Sequence, residues 1–149
     1  MREYLSEIIA SFKEISKRQF IFNYDQDSNV RKITKSIEIV YGLRNFIGNA
    51  NKFSRSTIHI NLKSDSEITE ITIEDDGIGY PKDILPKIGE PYLSTNNSQE
   101  KSKIGLGLGL FIGKNLLEKN FASVVCRNSK TRSGAEVIII WSNRDLFNI

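Results

Sequence analysis

Asn45, Asn49 and Lys52 stand at i, i+4 and i+7, so on a helix all three fall on one stripe. Asparagine is a mediocre helix former, and two of them one turn apart call for a reason. A carboxamide oxygen can complete the near-octahedral oxygen shell of magnesium, with phosphate oxygens and water supplying the rest. The plainer account is a solvated polar face, common on amphipathic helices. A second group is the run Asp75, Asp76, Gly77, Ile78, Gly79, where glycines permit a sharp turn or a close ligand approach. A carboxylate at Asp75 could accept from the exocyclic amine of a purine; an ordinary Asp-Gly turn explains the same residues. The third group alternates Gly105, Gly107 and Gly109 with leucines, among them Leu106, and runs into an apolar stretch. Bare amides near a helix N-terminus make an anion site. GxxxxGK[ST] fails here because Leu108 and Asn115 stand at required positions, and GxGxxG fails at its last glycine. Glycines for close helix packing explain one of the three more easily than all.

The elements that must position these residues follow from periodicity. Ile39, Leu43, Phe46, Ile47 and Ala50 predict one long helix from Ser36 to Phe53 with Ser36 as N-cap. Leu5, Ile8, Ile9, Phe12 and Ile15 predict a helix from about Glu3 to Lys17, and Gln19 to Tyr24 alternates as a strand. Thr57 to Leu62 and Ile68 to Glu74 read as a hairpin whose second strand ends in the Asp-Asp-Gly turn. Pro81 to Ile88 is a short helix candidate. Gly89 to Lys103 is polar and aperiodic, long enough for a lid. Leu106 to Lys119 reads as helix, and Ala122 to Asn128 and Ala135 to Ser142 as strands around a turn with Gly134.

A chain of 149 residues with 39% hydrophobic content suits one core. Its 21 basic and 18 acidic residues leave a formal charge of +3, and no basic run tracks a nucleic acid backbone. One cysteine, Cys126, makes no internal disulfide, and no Cys/His metal cluster is present. The apolar runs fall far short of the roughly 20 residues that span a bilayer.

Together, RNFIGNANKFS, DDGIG, IGEPY, GLGLGLFI and SGAEVIIIW resemble, in order, the N, G1, F, G2 and final glycine boxes of the catalytic domain of sensor histidine kinases. That domain belongs to the superfamily of gyrase, the heat-shock chaperone, histidine kinases and mismatch repair. The resemblance covers about Ser36 to Ser142, and VYGLRNFIGNA, GEPYLST and GLGLGLFI look most like the redox-responsive RegB type. It implies an α/β two-layer sandwich, a mixed and mainly antiparallel sheet with helices on one face. Residues 1–18 would be a connecting helix from an upstream region, and residues 19–149 the ATP-binding domain.

By the same resemblance the cofactors are ATP and magnesium. Asn49 would ligate the metal, Asn45 would support metal and phosphates as the other catalytic asparagine, and Lys52 would neutralise phosphate charge. Phe53 would pack on the adenine, Asp75 would read its amine, and Gly77 and Gly79 would shape that pocket. IGEPY, Ile88 to Tyr92, would anchor one end of an ATP lid, and Gly105, Leu106, Gly107 and Gly109 would close the other end. The sequence departs from the family pattern at Lys103-Ile104, where small residues are usual, and at Gly89, where many relatives have phenylalanine.

Hydrolytic relatives place a glutamate where this chain has Asn45, and an amide cannot activate water as a base. Transfer of the γ-phosphoryl group to a histidine is therefore expected, with positioning and charge neutralisation as its means. The single histidine, His59, lies in a strand and reads as structural. The phosphoacceptor would then sit on a separate dimerisation domain, a response regulator would be the further partner, and the parent would be anchored in the bacterial inner membrane with this domain cytoplasmic. An anti-sigma-type serine kinase and a nucleotide-regulated binding module are the alternatives; a hydrolase loses its weight to Asn45.

Overall fold

The computed structural model describes residues 1–25, 36–88 and 100–149, of which 100–107 are described by backbone course alone. Helix α1 (Arg2–Lys13) leads into strand β1 (Gln19–Tyr24), and helix α2 (Ile37–Phe53) carries the chain back to β2 (Thr57–Ser64). β3 (Ile68–Asp75) follows, then a single 3-10 turn at Leu85–Lys87, helix α3 (Glu100–Lys119), β4 (Ser123–Asn128), β5 (Ala135–Ser142) and a short α4 (Asn143–Leu146). The five strands lie in the order β1-β2-β3-β5-β4. β1 runs parallel to β2, and the other three pairings are antiparallel. This is the expected mixed, mainly antiparallel sheet.

Period-two alternation puts every second strand residue on the helix side. Ile58, Ile60 and Leu62 of β2, Ile71 and Ile73 of β3, and Val137, Ile139 and Trp141 of β5 are buried there. They join Leu5, Ile8 and Ile9 of α1, Leu43, Phe46 and Ile47 of α2, and Leu110 and Leu117 of α3 in one cluster. All three long helices therefore cover one face. The inner face of α1 is built into that cluster, and Arg44 and Phe12 stack where α1 meets α2, with the guanidinium 5.5 Å from the ring centroid.

Several expected boundaries shift. α1 ends at Lys13 rather than Lys17, and Ile15 is exposed. The stretch Pro81 to Ile88 forms only one 3-10 turn, because Pro86 within it removes a backbone donor. α3 begins at Glu100, so the polar residues Glu100 to Lys103, read as loop, are helical. Glu and Lys are good helix formers, which outweighs their lack of an apolar period. The rest of the expected lid, Gly89 to Gln99 with most of IGEPY, lies outside the described residues.

Candidate functional site

α2 starts as its sequence predicts. The Ser36 side chain accepts from the amide of Ile39 at 3.3 Å, satisfying one of the donors that a helix start leaves free. α2 and α3 then pack closely because small residues meet large ones. A Cβ at Gly113 would lie 2.8 Å from the Phe46 ring, and one at Gly42 would lie 2.7 Å from Leu117. The same contact reaches the asparagine stripe. A Cβ at Gly109 would stand 3.1 Å from Asn49 Nδ2, so Gly109 leaves room for the carboxamide. Asn49 therefore sits on the flank of α2 that α3 covers, not on a freely solvated face.

The three stripe residues differ. Asn45 donates from Nδ2 to the Tyr41 carbonyl at 2.8 Å, one turn back on its own helix. Asn49 Nδ2 is buried with no hydrogen-bond partner among the described residues. Lys52 is exposed, with its ammonium 5.2 Å from the centroid of the Phe53 ring. Phe53 follows Asn49 by four residues, one turn of about 5.4 Å further along the same flank.

At the end of β3, Asp75 is only 4% exposed. Its Oδ1 accepts from the Gly77 amide at 2.8 Å and the Ala135 amide at 3.3 Å. Burial nevertheless raises its pKa above the ordinary carboxylate value, since desolvation disfavours the charged form. Two glycines make this packing possible. A side chain on Gly77 would collide with the Phe53 carbonyl, and one on Gly134 with the backbone and side-chain oxygens of Asp75. Gly79 has φ +81°, a left-handed conformation that favours glycine. Beside it, Asn128 accepts from the Tyr80 amide at 2.6 Å and donates to the Tyr80 carbonyl at 3.0 Å. Gly134→Ala is accordingly expected to lower the melting temperature by several degrees, which thermal unfolding followed by circular dichroism checks, because the added methyl overlaps backbone that cannot move aside.

Phe53, Asp75, Gly77 and Gly79 thus come together around the turn after β3, and Asn49 with Gly109 forms a second group one turn up α2. Gly105, Leu106 and Gly107 lie inside α3, which starts five residues before Gly105. Their position differs from the expected helix N-terminus: within a continuous helix their amides are turned to the preceding turn. Residues of this surround to which pattern reading gave no role are Asp76 and Asn128, and Gly134 entered only as part of the final glycine box. Asp76 was hidden by its neighbour, since two adjacent aspartates give no clue to which one is buried and which ties down a turn. Asn128 and Gly134 act across the sheet, and no local spacing signals that.

His59 lies on the sheet face away from the helices, paired in register with Glu74. Burial, then the Arg132 charge, lowers its pKa. Cys126 is partly buried, and burial pushes its thiol up to about 11, which keeps it protonated and unreactive at neutral pH. Among the described residues no three His, Cys, Asp or Glu side chains gather as a metal cluster, and no helix is long and apolar enough to cross a membrane.

The family described as histidine kinase-, DNA gyrase B- and HSP90-like ATPase matches this sequence over residues 34–144. The chain belongs to that family. The sensor histidine kinase RegB of Cereibacter sphaeroides is 37% identical over 124 residues, covering 73% of this chain and 27% of that protein. The histidine protein kinase SaeS of Staphylococcus aureus is 35% identical over 86 residues, 55% of this chain and 24% of that protein. The chain thus spans about a quarter of the length of these curated relatives. The fold is shared with the catalytic domain of histidine kinase ThkA in a nucleotide-free form, at TM-score 0.76 and 20% identity over 95% of this chain and 92% of that one. The mycobacterial sensor histidine kinase MprB gives TM-score 0.73 at 19% identity, over 95% and 93%. The sequence therefore carries the ATPase-type catalytic domain found in sensor histidine kinases, and its sheet and one-sided helix layer are those of their catalytic domains.

Proposed function

We propose that this chain is the ATP- and magnesium-binding half of a sensor histidine kinase, passing the γ-phosphoryl group to a histidine on a separate dimerisation domain that then serves a response regulator. One observation carries the metal-binding part: among the described residues, the side-chain nitrogen of Asn49 is buried without a partner, on the flank that leads to Phe53 and Asp75. A buried polar group without a partner costs free energy, and a group retained at that cost is accounted for by a ligand. Turning the Asn49 amide over presents its oxygen in place of the nitrogen, and an oxygen there suits a hard cation. The residues fit magnesium held jointly with nucleotide phosphates. Bound there, the metal would neutralise charge on the transferring phosphoryl group. Asn49 would ligate it, Asn45 and Lys52 would face the phosphates, and Gly105, Leu106, Gly107 and Gly109 would border them. Phe53 and Asp75, with Gly77 and Gly79, would hold the adenine.

Asn45 separates transfer from hydrolysis, because its amide donates to the Tyr41 carbonyl and cannot take a proton from water. α1 is then the helix by which the catalytic domain continues from the phosphoacceptor region, with the parent anchored in the inner membrane and this domain on the cytoplasmic side. The sensor-kinase names of relatives of which this chain spans 27% support a catalytic domain joined to further segments. Incubation with γ-labelled ATP, magnesium and a purified phosphoacceptor helix pair is expected to label that pair on histidine and to release little free phosphate. ATP binding without labelling points to a nucleotide-regulated module instead, and steady phosphate release that vanishes in Asn45→Ala points to a hydrolase.

A further inference from the structure

The turn between α2 and β2 is held from both sides by charged groups. On one side the Asp76 carboxylate takes four donors: Oδ1 accepts from the amides of Arg55 at 2.8 Å and Ser56 at 3.0 Å. Its Oδ2 accepts from the Ser56 hydroxyl at 2.7 Å and the Thr57 amide at 3.2 Å. On the other side Arg18 donates from Nη1 to the Arg55 carbonyl at 2.5 Å and from Nε to the Asn51 carbonyl at 3.5 Å. Ser16 donates to Asn51 Oδ1 at 2.5 Å. Both backbone polar groups of Arg55 are therefore taken, the amide by Asp76 and the carbonyl by Arg18. An arginine on the last carbonyls of α2 also suits the negative end of the helix dipole.

We infer that Asp76 is a positioning residue for adenine recognition, with Arg18 as its counterpart on the far side of the same turn. The geometry runs through two contacts. Asp76 directly follows Asp75, the last residue of β3, so anchoring Asp76 restrains the backbone that sets the direction of Asp75. The turn that Asp76 grips begins just after Phe53, whose carbonyl packs on Gly77 with no room for a Cβ. One carboxylate thus sets the spacing between the aromatic wall and the acidic group that would read the base. Bonds to a carboxylate are charge-assisted and stronger than neutral ones; although burial pushes the other way, the amides and hydroxyl that it accepts hold the Asp76 carboxyl well below the usual range. Arg18 extends the grip to the segment that leaves α1, so the entry of the chain into the domain and the adenine wall share one turn.

The inference rests on the nucleotide-binding function proposed above. Its test compares ATP and GTP binding to the 149-residue chain with magnesium, by calorimetry well below the melting temperature. Asp76→Ala is expected to weaken ATP about tenfold and to reduce the preference for ATP over GTP about tenfold, because the base-reading wall shifts while the Asn49 side is untouched. Asp76→Asn keeps the oxygen that accepts from Arg55 and Ser56 and should recover part of the loss. Arg18→Ala is expected to weaken ATP about threefold with a smaller change in preference. A merely structural role lowers the melting temperature and leaves the base preference of the folded protein unchanged. Folded Asp76→Ala with ATP affinity and preference within twofold of the unaltered chain overturns the inference. Where Asp76→Ala does not fold, unchanged preference in both Asp76→Asn and Arg18→Ala overturns it. An unaltered chain that binds neither nucleotide overturns the proposed function itself, a result distinct from either of these.

Discussion

Asp75→Asn is expected to weaken adenine nucleotide binding by roughly 30- to 100-fold while leaving the fold at least as stable at neutral pH. Asp75 Oδ1 already accepts from Gly77 and Ala135, and an asparagine oxygen can keep both bonds. The asparagine then presents an NH2 group where the carboxylate has its second oxygen. Facing the adenine amine, donor meets donor, and an unsatisfied buried donor costs about 1–3 kcal/mol. Adding the lost bond gives roughly 2–3 kcal/mol, and each 1.4 kcal/mol is about tenfold in affinity. Stability moves the other way. Burial raises the Asp75 pKa in the folded state, so its ionisation opposes folding above that pKa, and the opposition is relieved as pH falls through it. Removing the charge removes the opposition. Calorimetric titration with an ATP analogue, paired with thermal unfolding at neutral pH, checks both halves. Unchanged affinity in a folded variant would count against adenine reading by this carboxylate, and a large loss of stability would mark Asp75 as a structural residue.

The elements that hold the site were legible where a single rule governs. α2 with its Ser36 cap, β1 and β5 follow from helical or alternating periodicity, and their bounds agree with the reading within a residue. The sheet order is another matter. β3 and β5 pair through Ile71 with Ile139 and Ile73 with Val137, yet 60 residues separate the closing contact of Asp75 with Ala135, and no local pattern encodes that distance. The glycines of α3 show the same limit. Gly109 and Gly113 serve close approach to Asn49 and Phe46, which is visible only once α2 lies beside α3. At the site, Asn45, Asn49 and Asp75 stood out because amide and carboxylate types at helix spacing and a strand end suggest chemistry, whereas Phe53 entered only through the family resemblance. Asp76 carries more hydrogen bonds than Asp75 but reads as turn filler, since its partners come from a turn 20 residues earlier in the chain. α3 extends upstream through Glu100 to Lys103 because charged helix formers need no apolar face to continue a helix already nucleated by packing.

Asn49→Ala separates binding from folding more sharply than any other change. Without ligand, the substitution deletes a buried nitrogen that has no partner among the described residues, and it replaces a poor helix former with the best one, a gain of about 0.5 kcal/mol. The carboxamide lies against Gly109, so the vacated space is small and its cost on the order of 1 kcal/mol. The apo domain should therefore melt within a few degrees of the unaltered protein. With magnesium and ATP the outcome reverses. Loss of the amide ligand is expected to weaken the magnesium-dependent part of ATP binding by about 100-fold and to remove most of the labelling of a phosphoacceptor. A ligand stabilises by RT ln(1 + [L]/Kd), about 2.7 kcal/mol at a concentration of 100 Kd. A 100-fold weaker Kd brings that stabilisation down to roughly 0.4 kcal/mol at the same concentration. A thermal shift assay with ATP, with and without magnesium, reads this directly: the unaltered protein should show a magnesium-dependent rise that Asn49→Ala lacks. Asn45→Ala loses a bond to the Tyr41 carbonyl on its own helix together with the phosphate contact proposed for it, and should lower the rise by less than Asn49→Ala does. Should Asn49→Ala retain the rise, or should it melt far below the unaltered protein without ligand, the unpaired amide would belong to packing and not to metal binding. The expected pattern, an unchanged apo domain that no longer responds to magnesium, is that of a residue kept for its ligand at some cost to the empty fold.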